Sequence, residues 1–114
     1  MNVEAYRDYC LNKPGVTEGF PFDKTTLVFK VGGKMFALAD IDSFKFINLK
    51  CDPERAVELR ETFIGIKPGW HMSKKHWNSV SVDADVDSHL LIELIDLSYT
   101  LVRESLPKRV KDGL

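Results

Sequence analysis

The sequence predicts a single α+β domain in which an antiparallel sheet is packed by helices from both ends of the chain. Two runs of β-branched and aromatic residues flank Gly32-Gly33, which is typical of a hairpin with a two-residue turn. Asp52 and Asp87 each precede a segment with apolar residues at helical spacing, where a helix N-cap is expected. With 114 residues and a hydrophobic content of 44%, the chain is sufficient for one core without disulfides.

The chain is expected to begin with a helix and a hairpin. A helix is predicted from about Asn2 to Leu11, because apolar residues recur there at helical spacing and Pro14-Gly15 follow it. In the hairpin, we expect Val31 to pair with Lys34 across the Gly32-Gly33 turn. This register places two pairs on the face expected to be fully buried, Phe29 with Phe36 and Leu27 with Leu38. It places two further pairs on the other face, Lys30 with Met35 and Val28 with Ala37.

A third strand and a helix are predicted for the middle of the chain. The strand runs from about Phe44 to Leu49 and follows a turn at Asp40–Ser43, so the strands form a meander. The helix opens at Asp52-Pro53 and continues to about Thr62, since proline at the first helical position loses no needed donor. Its face toward the sheet is expected to hold Ala56, Val57, Leu59 and Phe63. Its face toward water is expected to hold Glu54, Arg55, Glu58, Arg60 and Glu61.

The last third of the chain is expected to close the fold with a loop, a strand and a long helix. Ser73 is placed to cap a single helical turn, and the alternation around Val80 and Val82 predicts a half-buried strand at a sheet edge. The final helix is predicted from its N-cap Asp87 to about Glu104 or Ser105 and lies across the sheet. We therefore expect one domain over residues 1–106 and a loose basic tail over residues 107–114.

Composition excludes several classes of protein. The formal net charge is −1, which argues against a protein that wraps nucleic acid by electrostatics alone. The longest apolar segment, Leu90–Val102, is too short to cross a bilayer, and Glu4 and Asp8 stand where a signal peptide would be basic. Cys10 and Cys51 show no metal-binding or disulfide spacing, so reduced thiols are expected. These features predict a cytoplasmic protein without membrane contact. We expect a monomer, although no sequence pattern reports on the oligomeric state.

No pattern predicts catalysis, a metal or a cofactor. Asp83, Asp85 and Asp87 match the start of a calcium loop, but its later glycine and glutamate positions hold other residues. His71 and His76 are five positions apart, so they would not share a helix face as a zinc pair does. No glycine-rich phosphate loop occurs, and nothing in the sequence brings a base to Cys51. We expect a non-enzymatic protein with no cofactor.

The candidate working surface is the segment from Lys67 to Val80. It holds both tryptophans, two of the three histidines and three lysines, with no carboxylate. Interleaved aromatic and basic side chains suit nucleic acid, because lysine attracts phosphate and aromatic rings stack on bases. Trp77 is expected in the core. The predicted nucleic-acid-binding residues are Lys67, Trp70, His71, Lys74, Lys75, His76 and Asn78.

Two other interpretations of this segment stay open. In the first, Trp70 is the centre of a protein- or small-molecule-binding site and the lysines only form its rim. In the second, the tryptophans are core residues and the lysines are solvated charges. If Lys30 and Lys45 share a face with Lys74 and Lys75, a basic stripe is formed, which would favour nucleic acid.

Three motifs carry a resemblance to a known family: Pro14–Glu18 (PGVTE), Lys50–Pro53 (KCDP) and Lys74–Asn78 (KKHWN). With them, nearly the whole chain closely resembles the MmcQ/YjbR family. The resemblance implies a frataxin-like (CyaY-like) α+β sandwich in a double-wing arrangement, and DNA as the partner. It makes the hairpins around Gly32-Gly33 and Asp40–Ser43 the wings, and it supplies no catalytic residues. Frataxins bind iron through a run of carboxylates that this chain lacks, so iron is not expected.

Overall fold

A computed structural model describes residues 1–114 and contains a six-stranded antiparallel sheet with four helices. The helices are α1 (Val3–Leu11), α2 (Pro53–Thr62), α3 (Ser88–Glu104) and α4 (Lys108–Asp112). The strands are β1 (Val16–Gly19), β2 (Thr26–Val31), β3 (Lys34–Asp40), β4 (Phe46–Lys50), β5 (Ile66–Pro68) and β6 (Trp77–Ser81). Their order in the sheet is β1-β2-β3-β4-β6-β5. The predicted α+β class, with an antiparallel meander packed by N- and C-terminal helices, is confirmed.

The predicted helix starts are confirmed by their capping bonds. The carboxylate of Asp87 accepts the backbone N–H of Leu90 at 2.8 Å, and that of Asp52 accepts the N–H of Arg55 at 3.3 Å. Each carboxylate satisfies a donor that has no partner within the helix. None of the four helices is both long and apolar enough to serve as a membrane span.

Two short edge strands were not predicted. β1 has four residues and β5 has three, and these segments show neither a run of β-branched residues nor regular alternation. Because β5 pairs with β6, the strand around Val80 lies inside the sheet between β4 and β5. The prediction that this strand forms an edge is therefore wrong.

The hairpin register is correct next to the turn and shifts by one residue beyond it. Val31 pairs with Lys34 and Lys30 with Met35, as predicted, around two glycines with φ of 57° and 83°. Phe29 then pairs with Ala37, because a β-bulge at Phe36 adds one residue to β3. The predicted pairs beyond the bulge are wrong. The observed ones are Val28 with Leu38 and Leu27 with Ala39.

All helices lie on one face of the sheet, and we call the other face the open face. The helix side holds a core cluster of 22 buried residues. The open face carries a separate small cluster, in which Val28, Leu38 and Trp77 are buried and Met35 and Met72 are partly buried. Trp77 is thus buried as predicted, but it lies on the face away from the helices.

The C-terminal segment is helical, so the prediction of a loose tail is wrong. α4 follows Leu106, which is buried, and Val110 packs against the main core. Leu106 and Val110 lie directly beside Gly32 of the hairpin turn, where a Cβ atom would collide with Leu106. The tail therefore closes one end of the sheet.

Candidate ligand-binding site on the open face

A cavity of about 690 Å³ lies on the open face. Three segments that are distant in sequence surround it: the β1–β2 loop, the end of β3 with the turn that follows, and the β5–β6 loop. Its volume is within the range of about 300–1,000 Å³ that is typical of small-molecule sites. The lining residues are Phe22, Asp23, Thr26, Leu38, Ala39, Asp40, Ser43, Phe46, Asn48, Trp70, His71 and Met72.

The backbone of Trp70 is held in place by two buried polar residues of the sheet. Its N–H donates to the Ser79 hydroxyl at 2.9 Å, and its carbonyl accepts from the Asn48 amide at 3.1 Å. Asn48 and Ser79 pair across β4 and β6, and the Ser79 hydroxyl also donates to the Asn48 side-chain oxygen. The indole of Trp70 nevertheless remains 63% exposed. The sheet therefore fixes the base of this loop while its aromatic ring faces solvent.

His71 lies next to Trp70 on the same side of the cavity and has an uncommon backbone conformation. Its φ of 58° is in the left-handed region, which residues other than glycine seldom adopt. Its ring meets the indole of Trp70 edge-on, with 4.7 Å between the ring centroids. Met72 then packs onto the small cluster with Trp77. Strained residues of this kind occur frequently at ligand sites.

The opposite wall and the floor are apolar. Phe22, in the β1–β2 loop, is 63% exposed, and Phe46 is partly buried on β4. Leu38 forms the floor between them because the bulge at Phe36 turns it toward the open face. The cavity thus has aromatic side chains on both sides and an aliphatic base.

Two carboxylates stand at one end of the cavity, and each is held by backbone N–H groups. Asp23 accepts from the N–H groups of Thr25 and Thr26 at 2.9 and 2.7 Å, and Asp40 accepts from those of Asp42 and Ser43 at 2.9 and 3.1 Å. These bonds stabilise the charged forms and lower the pKa of both carboxyl groups below its ordinary value of 3.8. Both side chains therefore carry negative charge at neutral pH.

Comparison with known proteins identifies the family. A family model described as YjbR matches residues 11–101. The chain belongs to the YjbR family. The Escherichia coli O157:H7 protein YbdF, one of its relatives, is 40% identical over 107 residues, which cover 93% of this chain and 88% of YbdF. The names of the related proteins specify no ligand or reaction.

Solved structures support the same assignment for this YjbR-family chain. The crystal structure of the Deinococcus radiodurans protein DR2400 is similar with a TM-score of 0.91 and 42% identity, covering 98% of this chain and 86% of that one. A Pseudomonas syringae protein is similar with a TM-score of 0.76 and 30% identity, covering 90% and 99% of the two chains. The resemblance to the MmcQ/YjbR family predicted from the three motifs is confirmed.

Only some of the predicted binding residues of this YjbR-family chain meet at the cavity. Trp70 and His71 line it. Lys67 lies on the open face because it pairs with Ser79, whereas the Lys74 ammonium donates to the carbonyl of Gly69 at 3.2 Å within its own loop. Lys75 and His76 are exposed in the turn before β6 and do not line the cavity.

The prediction that Asn78 is a binding residue at the surface is wrong. It is 1% exposed and faces the helices, since side chains alternate along β6 and its neighbours Trp77 and Ser79 occupy the open face. Its amide donates to the carbonyl of Ala56 at 3.3 Å, and its oxygen accepts from Arg60 at 2.7 Å. Asn78 is therefore a structural residue between β6 and α2.

Strand register also shows on which face of the sheet several lysines lie. Lys30 pairs with Met35 and Lys50 with Trp77, so both lie on the open face together with Lys67. Lys30 and Lys67 are four strand spacings apart, which is roughly 19 Å. Lys45 precedes β4 and is exposed, outside the paired residues. The lysines are therefore spread across the face, and no continuous stripe of the predicted residues is formed.

Sequence reasoning missed the side chains that support the site. Asp40 was assigned only to a turn, Phe22 and Asp23 were given no role at the site, and nothing local links the three residues to Trp70. Asn48 did carry a signal, since it is a polar residue at the centre of the apolar strand Phe46–Lys50. Buried polar residues in such strands usually have a hydrogen-bonding role.

Arg60 was expected to face water, and this is wrong. It is partly buried, and its guanidinium donates to the Asn78 oxygen at 2.7 Å, to the Trp77 carbonyl at 3.4 Å and to the Lys74 carbonyl. Its five donors in a fixed plane suit several acceptors at once. Arg60 thus connects α2 to the end of the β5–β6 loop, whereas Val57, expected against the sheet, is exposed.

Replacing Arg60 with alanine is expected to lower the free energy of unfolding by about 1–3 kcal/mol, because the oxygen of the buried Asn78 is left without a donor. Urea denaturation followed by circular dichroism measures the change. The matched control is Arg55→Ala on the same helix, whose exposed ion pair with Glu93 should contribute less than about 1 kcal/mol. Equal losses in the two variants would contradict the role assigned to Arg60.

Proposed function

We propose that this protein is a non-enzymatic binding module for a planar, largely apolar small molecule, which occupies the cavity on the open face. The observation that carries the proposal is the exposed indole of Trp70 above a backbone that Asn48 and Ser79 hold on both sides. An exposed aromatic ring gains contact area when a flat ligand stacks on it. Because the backbone that carries the ring is already held, less conformational freedom is lost on binding.

The rest of the cavity supports the same class of ligand. Phe22 faces solvent on the opposite side, and Leu38 and Phe46 supply apolar surface below. Among the lining residues, Thr26 and Ser43 carry hydroxyl groups, and the His71 imidazole forms a hydrogen bond with neither; the Thr26 hydroxyl donates to Asp23 instead. The arrangement therefore favours binding over catalysis.

Nucleic acid is the second candidate, and the position of three lysines favours it. Lys30, Lys50 and Lys67 share the open face with Trp70, where they would contact phosphates while the indole stacks on a base. In the double-wing arrangement implied by the resemblance, the Asp40–Ser43 turn is one of the wings. Asp23 and Asp40 oppose this candidate, since both are ionised at the end of the cavity where a phosphate would approach.

Replacing Trp70 with alanine is expected to weaken binding of a neutral fused-ring probe, quinoline, by about tenfold or more. This is the usual effect of removing an aromatic side chain that becomes buried in a complex. Ligand-observed NMR titration measures the affinity. The matched control is Phe20→Ala, because Phe20 is 46% exposed in the β1–β2 loop but does not line the cavity. The Phe20 variant should bind quinoline like the wild type.

Three outcomes would count against the proposal. One is the absence of quinoline binding to the wild type at millimolar concentration, and another is an equal effect of the two substitutions. The third is tight binding of a single-stranded oligonucleotide whose logarithmic salt slope is about −2, as expected for three lysine–phosphate contacts. That slope would favour nucleic acid over the small molecule.

A further inference from the structure

We infer that the ligand of the open-face cavity is a planar aromatic cation, whose positive charge lies at the end formed by Asp23 and Asp40. This inference rests on the proposed function and adds the charge of the ligand to it. It depends on three features of the cavity: uncompensated carboxylates, aromatic walls, and an amide in the floor with unused hydrogen-bonding capacity.

The carboxylates keep acceptor capacity after their own turns are satisfied. Asp23 accepts from two backbone N–H groups and from the Thr26 hydroxyl, and Asp40 accepts from two backbone N–H groups and from the Thr25 hydroxyl. A carboxylate offers roughly four acceptor sites, so about one remains on each residue. The turns therefore hold both groups in place and leave each able to accept from a ligand.

No cation of the protein neutralises this end of the cavity. None of the six ion pairs in the molecule includes Asp23 or Asp40. The neighbouring Lys24 and Lys45 are exposed and also take part in no ion pair. The two carboxylates moreover lie close enough for the charge of Asp23 to oppose ionisation of Asp40. A cationic ligand would relieve this repulsion, whereas an anionic ligand would add to it.

The aromatic walls favour the same charge. The faces of indole and phenyl rings are electron-rich and attract cations, most strongly in tryptophan. Trp70 and Phe22 line the cavity, and both side chains are largely exposed. A flat cation would therefore gain from stacking and from charge at once.

The floor supplies a directional contact. Asn48 is 5% exposed and lines the cavity, and its side chain uses one amide hydrogen on the Trp70 carbonyl and its oxygen on the Ser79 hydroxyl. A side-chain amide has two donor hydrogens, so one remains for an acceptor atom of the ligand. A buried donor of this kind favours ligands that carry such an atom.

Three probes of similar shape test the inference on the wild-type protein: N-methylquinolinium as the cation, quinoline as the neutral compound and 2-naphthoate as the anion. The cation is expected to bind most tightly and the anion most weakly, with about twofold to fivefold in affinity for each carboxylate. The preference should shrink as salt is added, because exposed charges are screened. Ligand-observed NMR gives the three dissociation constants under the same conditions.

Asp23→Asn with Asp40→Asn should remove the preference for N-methylquinolinium over quinoline. Asparagine keeps an oxygen that accepts the backbone N–H groups, so the turns are preserved. Asp42→Asn is the matched control, since Asp42 is exposed in the same turn but does not line the cavity.

The outcomes separate this inference from the function on which it rests. Trp70-dependent quinoline binding with no preference for the cation would overturn the charge of the ligand and leave the proposed function standing. A cation preference that persists in the double variant would also overturn it. If none of the three probes binds, both the inference and the proposed function fall. The ranking in the wild type decides the inference even if the double variant does not fold.

Discussion

Replacing Phe36 with alanine is expected to lower the free energy of unfolding by about 3–5 kcal/mol, the usual cost of removing a fully buried aromatic ring. The ring is inaccessible to solvent. Its centroid lies 5.3 Å from that of the Tyr99 ring, in an edge-on contact, and 6.4 Å from that of the Phe29 ring. Relaxation cannot fill the space easily, because the Phe36 carbonyl accepts a hydrogen bond from the Ser98 hydroxyl at 2.5 Å. The substitution therefore leaves a cavity between β3 and α3.

Urea denaturation followed by circular dichroism measures this loss, and Phe22→Ala is the matched control. Phe22 is 63% exposed, so its truncation should change the free energy of unfolding by no more than about 0.5 kcal/mol. A loss below about 1 kcal/mol for the Phe36 variant would contradict the assigned packing, since even partial collapse retains most of the transfer term.

Local chemistry made the three longer helices, α1 to α3, and the first hairpin predictable. A carboxylate at Asp52 or Asp87 fixes where a helix begins, because it binds an N–H group only three residues away. The Gly32-Gly33 turn likewise fixed the first two pairs of its hairpin. These features depend on residues that are neighbours in the chain.

The bulge and the edge strands depend on tertiary contacts and were not predictable in the same way. The extra residue in β3 lets Phe36 and Ala37 both enter the helix-side core, and this choice is made by packing against α3. It turns Leu38 to the open face, where it becomes the floor of the cavity. β1 and β5 acquire their strand structure only by pairing with longer neighbours.

The candidate site was predicted only in part, again because the rest of it depends on tertiary contacts. Trp70 and Trp77 were correctly divided between surface and interior, because a turn was expected between them. Asn78 was expected at the exit of that turn, whereas β6 already begins at Trp77, and side-chain alternation along the strand turns Asn78 toward the helices. The second wall with Phe22 and the carboxylates comes from segments at least 30 residues away in sequence from Trp70, which no local pattern connects.

The free energy of unfolding is expected to fall by about 4 kcal/mol as pH rises from 9 to 12, because of the Cys10 thiol alone. Cys10 is fully buried, and burial raises its pKa from the ordinary value of 9.0 to about 12. Below pH 9 the thiol is protonated in both states, so the stabilisation is fully present. Between the two pKa values only the unfolded chain releases the proton, which favours unfolding. Above about pH 12 the loss is complete.

Two variants assign this alkaline loss to particular groups, with urea denaturation measured at several pH values. Cys10→Ala should reduce the slope between pH 9 and 10. The slope that remains there is assigned to the Cys51 thiol, whose pKa burial also raises above its ordinary value of 9.0. Tyr9→Phe should change the slope of the free energy of unfolding only above pH 10.0, the ordinary pKa of tyrosine. Burial and the hydrogen bond to Asp96 raise the pKa of Tyr9 to about 12. Identical slopes for the wild type and the Cys10 variant between pH 9 and 10 would contradict the role of the buried thiol. The pH range of each effect thus separates a buried thiol on one face of α1 from a partly buried phenol one residue away.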